Sequence, residues 1–287
     1  MKIAYLGPKG TYTEKISKEL FPEDELIPIQ PIRSAIFAVE NNKVDLAVVP
    51  LENFYNGEVR ETIDSLTECK KAKIITEKSM EITHCLGVLK DHGKIIKIFS
   101  KDQALEQCSS FLTENFPNAQ MIAIPSTAEA VLRIKSENIL DAGVIASKNA
   151  ILESGLEIIN TNLVENNKTR FIVIGKEPTK KTGDDKTFIS IHPPEKDKQG
   201  ILYNVLGFLA NNKVNMEDIK SRPDKKSGYY FYIELDGHEE DANVKSALES
   251  IKKYLDSKNT HEDTIKILGS YKNSHWKEKP EVASNSL

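Results

Sequence analysis

The chain has 287 residues, of which 39% are hydrophobic and 29% charged, as in ordinary globular proteins. Its formal net charge of −4 disfavours nucleic-acid binding, which needs a basic face to neutralise phosphates. The sequence has no apolar run of 18 residues, and residues 1–7 are typical of a strand instead of a signal peptide. We therefore expect a cytoplasmic protein with no membrane partner.

Short apolar runs alternate with helical patterns through the first 175 residues, which is typical of an α/β domain. Helices are predicted from about residue 12, after Gly57 and from residue 102. Strands are predicted at residues 3–6, 45–50, 82–89, 94–99, 121–124, 143–146 and 171–174. The run at 45–50 is continuously apolar, as expected for a strand covered on both faces.

Residues 177–186 are polar and rich in turn formers, and we interpret them as a linker. Beyond them the predicted order is βαββαβ, the ferredoxin-like plan. Its strands are predicted at 187–191, 214–221, 229–235 and 264–268, and its helices at 202–210 and 244–255. Residues 272–287 form a polar tail, which is predicted to be disordered from Asn273 onward.

Cysteine and histidine residues show no metal-ligand spacing, so we expect no metal site. Cys69, Cys85 and Cys108 are odd in number and lie among apolar neighbours. They are predicted to be buried thiols in a reducing compartment. The glycines at 7 and 10 match neither a dinucleotide-binding nor a Walker A pattern, so nucleotide binding is not predicted.

Three segments, residues 11–14, 100–103 and 126–129, match the capping box S/T-x-x-E/Q. Each follows a predicted strand and would lie at the sheet edge where α/β proteins bind ligands. Helix N-termini at that edge suit carboxylates or phosphates. Taken singly, however, a capping box is more often an ordinary helix start. The pattern alone thus predicts an α/β domain able to bind an anion, followed by a βαββαβ domain.

Seven segments together resemble one family, in the family's own order. They are GPKGTYT (7–13), PLENFYNGEV (50–59), SKDQALEQC (100–108), STAEA (126–130), TRF (169–171), GILY (200–203) and SRP (221–223). The first five resemble motifs of prephenate dehydratases, and the last two resemble motifs of the attached amino-acid-sensing ACT domain. The chain is similar to a monofunctional prephenate dehydratase with a C-terminal ACT domain, since no chorismate mutase segment is visible before Lys2.

The resemblance implies an α/β fold with a bilobed catalytic domain at residues 1–176, like type II periplasmic binding proteins. One lobe would comprise 1–75 with 158–176 and the other 76–157, with the active site between them. The ACT domain would occupy 187–271. The implied enzyme is a carbon–oxygen lyase that needs no cofactor and converts prephenate to phenylpyruvate. L-Phenylalanine would be the feedback effector, and the chain would form a homodimer or homotetramer.

The resemblance also assigns roles to individual residues. Thr169 would be a positioned hydrogen-bond donor, and the other catalytic candidates are Asn53, Glu52, Gln107 and Ser100. The substrate-binding candidates are Arg170, Gly10, Thr11, Ser126, Thr127 and Phe171. The effector-binding candidates are Gly200, Ile201, Leu202, Ser221, Arg222 and Pro223.

Each role has a structural alternative. Thr169 suits the start of a strand, and Phe171 suits packing. Arg170, which would bind substrate or order the cleft, also suits a surface or hinge salt bridge. Glu52 suits an ion pair, and at least one of Ile201 and Leu202 is expected in the core. Gln103 and Gln107 lie along one edge of the helix predicted from residue 102, where a side chain can reach the cleft. The alternative for both is a solvated helix edge, which suits Gln103 better than Gln107.

Three departures from the family pattern leave other functions open. Phe54 replaces a usual serine, Lys101-Asp102 replace His-Pro, and Lys220 replaces a glutamate. The alternatives are an arogenate dehydratase and a non-catalytic sensor of a small anion or amino acid. Which aromatic amino acid regulates the chain is not decided by the sequence.

Overall fold

The structure is a computed structural model, and it describes residues 1–125, 127–193, 199–224, 228–257 and 264–276. These residues form a mixed α/β fold with two sheets. None of the helices in the described ranges is long and apolar enough to cross a membrane. The described chain divides into two compact units, which are treated separately below.

The first unit comprises Met1–Leu51, Val59–Ser79 and the described residues from Arg170 onward. Its N-terminal elements are β1 (Lys2–Leu6), α1 (Tyr12–Leu20), β2 (Glu25–Ile29), α2 (Ile32–Glu40), β3 (Leu46–Asn53), α3 (Arg60–Glu68) and β5 (Lys73–Glu81). The short β4 (Gly57–Glu58) pairs with the last two residues of β3, and these residues belong to the second unit. Strand β1 is parallel to both β2 and β3. The apolar runs predicted as strands at 3–6 and 45–50 are confirmed, and they are buried because helices cover a parallel sheet.

The second unit comprises Glu52–Glu58 and Met80–Thr169. Its elements are β6 (His84–Val88), β7 (Lys97–Ser100), α4 (Asp102–Gln107), α5 (Ser109–Asn115), β8 (Gln120–Ala123), α6 (Thr127–Ser136), β9 (Ala142–Ser147), α7 (Lys148–Glu153) and β10 (Glu157–Asn160). The five strands lie in the order β10-β6-β9-β7-β8. The predicted strands at 82–89, 94–99, 121–124 and 143–146 are confirmed. The first two are shorter than predicted, the third is shifted by one residue, and the fourth extends one residue further at each end.

The C-terminal part of the first unit has the predicted βαββαβ order. Strand β11 (Lys168–Gly175) precedes it, and its elements are β12 (Asp185–Ile191), α8 (Ile201–Asn211), β13 (Met216–Pro223), β14 (Tyr229–Asp236), α9 (Ala242–Asp256) and β15 (Ile265–Lys272). The four strands lie in the order β13-β14-β12-β15 and continue into β5 of the same sheet.

One close approach joins β15 to β5. Gly269 pairs with Ile74 in parallel register, and a Cβ on Gly269 would lie 2.5 Å from the Ile74 carbonyl oxygen. Only glycine permits this approach of two backbones. Leu268 and Tyr271 accordingly belong to the same buried cluster as Ile74.

Two sequence predictions are wrong at their edges. The last residues of the predicted linker belong to β12, where Lys186 is 1% exposed because its ammonium group lies among carboxylates. The tail was predicted to be disordered from Asn273 onward, but Asn273 and Trp276 are buried. Asn273 donates to Glu217 at 2.9 Å, which explains part of this order. Residues 277–287 of the predicted tail lie outside the described residues.

The three cysteines are buried, as predicted. Burial raises the pKa of Cys69 to about 11 and that of Cys108 to about 12. A thiol with so high a pKa carries almost no thiolate at neutral pH, so these cysteines are inert packing residues.

Candidate active site

Asn53 lies at the end of β3 and is 9% exposed. Its Oδ1 accepts hydrogen bonds from the backbone N–H groups of Tyr55 and Asn56, both at 3.1 Å. Such a bond from an asparagine to its own following backbone closes a tight turn, and Gly57 completes it at a φ of +70°. The two backbone donors therefore fix which way the Asn53 amide faces.

The other end of the Asn53 amide faces Thr169. Its Nδ2 lies 2.9 Å from Thr169 Oγ1, 2.9 Å from Asn167 Oδ1 and 3.2 Å from the Lys168 carbonyl oxygen. Because Nδ2 can only donate, Thr169 Oγ1 must be the acceptor in this pair. The hydrogen of the Thr169 hydroxyl is then directed away from Asn53.

Gln107 completes a set that we name the amide cluster, consisting of Asn53, Gln107, Asn167 and Thr169. Gln107 Nε2 lies 3.3 Å from Asn53 Oδ1 and also donates to Asn56 Oδ1, while its Oε1 lies 3.3 Å from Asn167 Nδ2. Helix α4 ends at Gln107, so the side chain lies at the helix edge where the sequence placed it. The predicted candidates Asn53, Gln107 and Thr169 are thus brought together within the second unit.

His84 contacts the amide cluster from β6. Its Nε2 lies 2.9 Å from Gln107 Oε1. Burial lowers the pKa of His84, and the hydrogen bond to Gln107 opposes that shift only in part. The imidazole is accordingly neutral at physiological pH.

Other catalytic candidates lie apart from these hydrogen bonds. Ser100 is 1% exposed, and its hydroxyl donates to the Ile145 carbonyl at 2.8 Å. The prediction that Ser100 caps a helix is wrong, because β7 extends through Ser100 and Lys101 is the N-cap of α4. Glu52 is 7% exposed on β3, and its role stays a prediction.

The capping box at residues 11–14 is confirmed for the Thr11 cap, whereas the Glu14 carboxylate binds the residue before the N-cap instead of the N-cap itself. Thr11 Oγ1 accepts from the Glu14 backbone N–H at 3.3 Å, and Glu14 Oε2 accepts from the Gly10 N–H at 2.6 Å. The Gly10 N–H is the main cause of the lowered pKa of Glu14, with Lys18 adding to it. A direct contact of Gly10 or Thr11 with substrate stays a prediction.

The third capping box lies partly outside the described residues. Ser126 is not among them, and of Thr127 only the backbone is described, at the start of α6. The substrate-binding roles of Ser126 and Thr127 therefore stay predictions.

Arg170 follows Thr169 on β11 but lies in a charged environment within the first unit. We name Arg170, Lys186, Glu77 and Glu234 the ion cluster. The Arg170 guanidinium contacts the Glu234 carboxylate at 2.5 and 2.9 Å and Glu77 at 3.2 Å. Lys186 lies 3.3 Å from Glu77 and 3.2 Å from Glu234. All four residues are less than a tenth exposed.

The charges of the ion cluster stabilise one another against the cost of burial. Burial opposes the charged form of Glu234, but Arg170 and Lys186 outweigh it and lower the pKa of Glu234 to about 2. Burial likewise opposes the charge of Arg170, yet Glu234 and Glu77 hold its pKa well above the usual value. Trp276 packs against the guanidinium, 4.9 Å from ring centroid to Cζ. This placement favours the ordering role for Arg170 over direct substrate contact.

Phe171 is 3% exposed, as expected for a packing residue. The departure at Phe54 has the opposite environment, with 60% of the residue exposed. Its ring forms an edge-to-face pair with Tyr55, whose hydroxyl donates to the Glu165 carbonyl at 2.7 Å. Phe54 contributes its backbone N–H to the Lys168 carbonyl at 2.9 Å.

The effector candidates lie at the start of α8 and at the end of β13. Gly200 is the N-cap of α8 and has a φ of +90°, which favours glycine. Ile201 is buried in the core, as expected for at least one of the pair, and Leu202 is only half-buried.

The three candidates on β13 have different surroundings. Ser221 and Pro223 are exposed, whereas Arg222 forms a salt bridge of 2.8 Å with Asp64 of α3. The departure at Lys220 places its ammonium group 3.4 Å from Asp218. The effector roles of all these residues stay predictions.

Sequence analysis missed His84, Asn167 and the partners of Arg170. Asn167 immediately precedes Lys168, the first residue of β11. Its position two residues before the catalytic candidate Thr169 was the one signal in the sequence that could have indicated it. The ion cluster had no such signal, because Glu77, Lys186 and Glu234 come from distant segments.

Comparison with known proteins adds independent evidence. The family model described as prephenate dehydratase matches residues 3–179. A prephenate dehydratase from Methanocaldococcus jannaschii is 34% identical over 278 residues, covering 94% of this chain and 97% of the relative. A bifunctional chorismate mutase/prephenate dehydratase from Aquifex aeolicus is 37% identical over 278 residues, covering 94% of this chain and 73% of the relative.

A solved structure agrees with these matches. The prephenate dehydratase of Arthrobacter aurescens in complex with L-Phe has a TM-score of 0.81 and 28% identity, covering 95% of this chain and 90% of that one. The matched segment contains Asn53, Gln107, Asn167 and Thr169, which the fold brings into one hydrogen-bonded cluster. This chain belongs to the prephenate dehydratase family of lyases.

Proposed function

We propose that the amide cluster is the catalytic centre for conversion of prephenate to phenylpyruvate. In this reaction the ring carbon–oxygen bond breaks with its electron pair going to oxygen, and the departing hydroxyl takes up one proton from solvent to leave as water. The ring carboxylate leaves as carbon dioxide, and its bonding electron pair completes the aromatic ring. Aromatisation provides the driving force, so the protein has to hold a dianion and assist the departing hydroxyl.

The observation that carries this proposal is the orientation of Asn53. Backbone donors at Tyr55 and Asn56 hold its Oδ1, so its Nδ2 donates to Thr169 Oγ1. Thr169 therefore keeps its own O–H as a donor for substrate. A threonine hydroxyl is a very weak acid, so its role is a hydrogen bond to the departing oxygen as negative charge develops there.

The surroundings of Thr169 favour such a donor. Thr169 is 8% exposed and its hydroxyl lies beside the neutral amide of Asn53, so water competes little for its hydrogen. A hydrogen bond aimed at a developing charge is stronger in such surroundings than in water. The same preorganisation removes the need to reorient the hydroxyl during the reaction.

The first 176 residues are proposed to form the bilobed catalytic domain, with residues 177–184 as linker and the ACT domain running from the start of β12 at Asp185 to residue 271. The βαββαβ order after Lys176 supports the second assignment.

We further propose that L-phenylalanine binds near Gly200 and the end of β13 and inhibits the enzyme. The L-Phe complex of the Arthrobacter relative supports this choice of effector. We also propose that the chain forms a homodimer or homotetramer. Its proposed location is the cytoplasm, and the three buried free cysteines are compatible with a reducing compartment.

The test is phenylpyruvate production from prephenate, followed by alkaline ultraviolet absorbance, with and without L-phenylalanine. Thr169→Ala should lower kcat by about 10²–10⁴-fold, the usual contribution of a positioned acid or donor. Thr169→Ser is the matched control, because it keeps the hydroxyl and should retain most of the activity. Arogenate offered at equal concentration measures substrate preference as a ratio of kcat/KM.

Robust turnover that survives Thr169→Ala would remove Thr169 from the mechanism. Binding of prephenate by calorimetry without any turnover would favour the sensor alternative. A higher kcat/KM for arogenate would reassign the substrate but keep the chemistry.

A further inference from the structure

The hydrogen bonds of the amide cluster have a defined direction, which originates in two backbone groups. The N–H groups of Tyr55 and Asn56 can only donate, so the atom of Asn53 that faces them at 3.1 Å must be its carbonyl oxygen. The Lys168 carbonyl on the other side of the same amide can only accept, at 3.2 Å from Nδ2. The orientation of Asn53 is therefore not open to an amide flip.

This orientation determines that of Gln107. The Gln107 atom 3.3 Å from Asn53 Oδ1 must be a donor, so it is Nε2. The opposite atom of the Gln107 amide is then its carbonyl oxygen, which faces both Asn167 and His84.

Two residues must donate to that carbonyl oxygen. Asn167 presents Nδ2 at 3.3 Å, which leaves its Oδ1 to accept from Asn53 Nδ2 at 2.9 Å. Every pair in this loop has one donor and one acceptor. His84 is the remaining partner, and its Nε2 at 2.9 Å must carry a hydrogen.

We propose that His84 is a positioning residue for Thr169, held as the Nε2–H tautomer at the start of a one-way hydrogen-bond chain. The chain runs from His84 to Gln107, then to Asn53 and then to Thr169, and each member donates to the next. Its last donor is the Thr169 hydroxyl, which is directed at substrate. His84 touches no reacting atom and acts only through Gln107.

The effect on catalysis rests on the proposed function, whereas the tautomer does not. Without a donor at His84, the Gln107 amide loses one of the two hydrogen bonds that its Oε1 accepts, and the preference for this orientation over the flipped one becomes weaker. A flipped Gln107 would set its carbonyl oxygen against Asn53 Oδ1 and weaken the hold on Asn53. Thr169 would then spend less time in the orientation that donates to substrate.

The first experiment is nitrogen-15 NMR of the histidine-labelled full chain at pH 8, with His84→Gln used to identify the His84 signals. The proposal expects a hydrogen on Nε2 and none on Nδ1. A signal set showing Nδ1–H would overturn it, whatever the enzyme's substrate is. If the chain shows the expected tautomer but no turnover of prephenate, the hydrogen-bond assignment stands and the proposed function fails.

The second experiment compares His84→Ala with His84→Gln, whose side-chain nitrogen can occupy the position of the imidazole Nε2. His84→Ala should lower kcat by about 10- to 100-fold, as expected when a reacting group is misplaced, with KM changed by less than about threefold. His84→Gln should restore kcat to within about threefold of wild type. Equal loss in both variants, with thermal midpoints matching wild type, would show that the Nε2 donor is not what His84 supplies.

Discussion

Thr169 and Arg170 are consecutive residues of β11, and each is held by a different kind of network. The amide cluster around Thr169 consists of neutral groups, and its hydrogen bonds have a direction fixed by backbone donors. The ion cluster around Arg170 consists of full charges, and several pairs of opposite charges share the same carboxylates. The amide cluster orients one hydroxyl through hydrogen bonds whose donors and acceptors are fixed. The ion cluster stabilises the fold through attraction between charges, which depends less on orientation.

The amide cluster is neutral and the ion cluster is charged for different physical reasons. A charge beside Thr169 would compete with substrate for its hydroxyl, and neutral amides do not. A neutral residue in place of one member of the ion cluster would leave a buried charge without compensation, which is costly. The two networks should therefore respond to mutation in opposite ways, one in rate and the other in stability.

The largest expected effect on stability is that of Glu234→Gln. Removing this carboxylate leaves Arg170 and Lys186 buried with fewer negative partners, and the free energy of unfolding should fall by about 3–5 kcal/mol. Glu68→Gln is the matched control, because its pair with Arg33 is about half exposed. That control should cost less than about 1 kcal/mol.

Urea denaturation at pH 7 measures both variants. If the two substitutions lower the free energy of unfolding equally, the ion cluster stabilises the fold no more than an exposed ion pair does.

The contribution of Glu234 should also depend on pH in a defined direction. Its pKa is lowered to about 2 in the folded state, against about 4.3 for an unfolded glutamate. In that interval the unfolded chain binds more protons, so stability falls as pH falls. The stability difference between wild type and Glu234→Gln should be constant above about pH 5 and shrink as the pH drops towards 2.

The measurement is the urea midpoint of both proteins at pH 7, 5 and 3. A difference that stays constant down to pH 3 would show that the Glu234 carboxylate is not stabilised by Arg170 and Lys186.

The smallest expected effect is that of Phe54→Ser, which restores the residue usual in the family. The ring is mostly exposed, so the free energy of unfolding should change by less than about 0.5 kcal/mol. Phe54 contributes its backbone N–H next to the amide cluster, and this bond survives the substitution. The value of kcat should change by less than about threefold. A tenfold change in kcat or KM in steady-state kinetics would instead assign the Phe54 ring to substrate contact.

Sequence patterns predicted the elements that local physics determines. The apolar run of β3, the βαββαβ order and the cap at Thr11 each depend on neighbouring residues, and each is confirmed. Strand β2 (ELIPI) was missed because it is short and contains Pro28, and β5 was missed because polar and apolar residues mix along it.

Some residues of the candidate site could be predicted from the sequence, and others could not. Asn53, Gln107 and Thr169 came from the resemblance to the family, and the structure adds that they form one hydrogen-bonded cluster. The environment of Arg170 could not be predicted, since its carboxylate partners lie 93 and 64 residues away in the chain. Trp276 was assigned to a disordered tail for the same reason, because its partner Arg170 is distant in sequence.

The most direct test of the account is the kcat of Asn53→Asp at pH 8, with the urea midpoint as control. Aspartate has the shape of asparagine and keeps the acceptor for Tyr55 and Asn56, but its carboxylate cannot donate to Thr169. The Thr169 hydroxyl should then donate to Asp at position 53 instead of to substrate, and kcat should fall by at least about 100-fold. A kcat within about twofold of wild type, in a protein of unchanged stability, would contradict the claim that Asn53 directs the Thr169 hydroxyl.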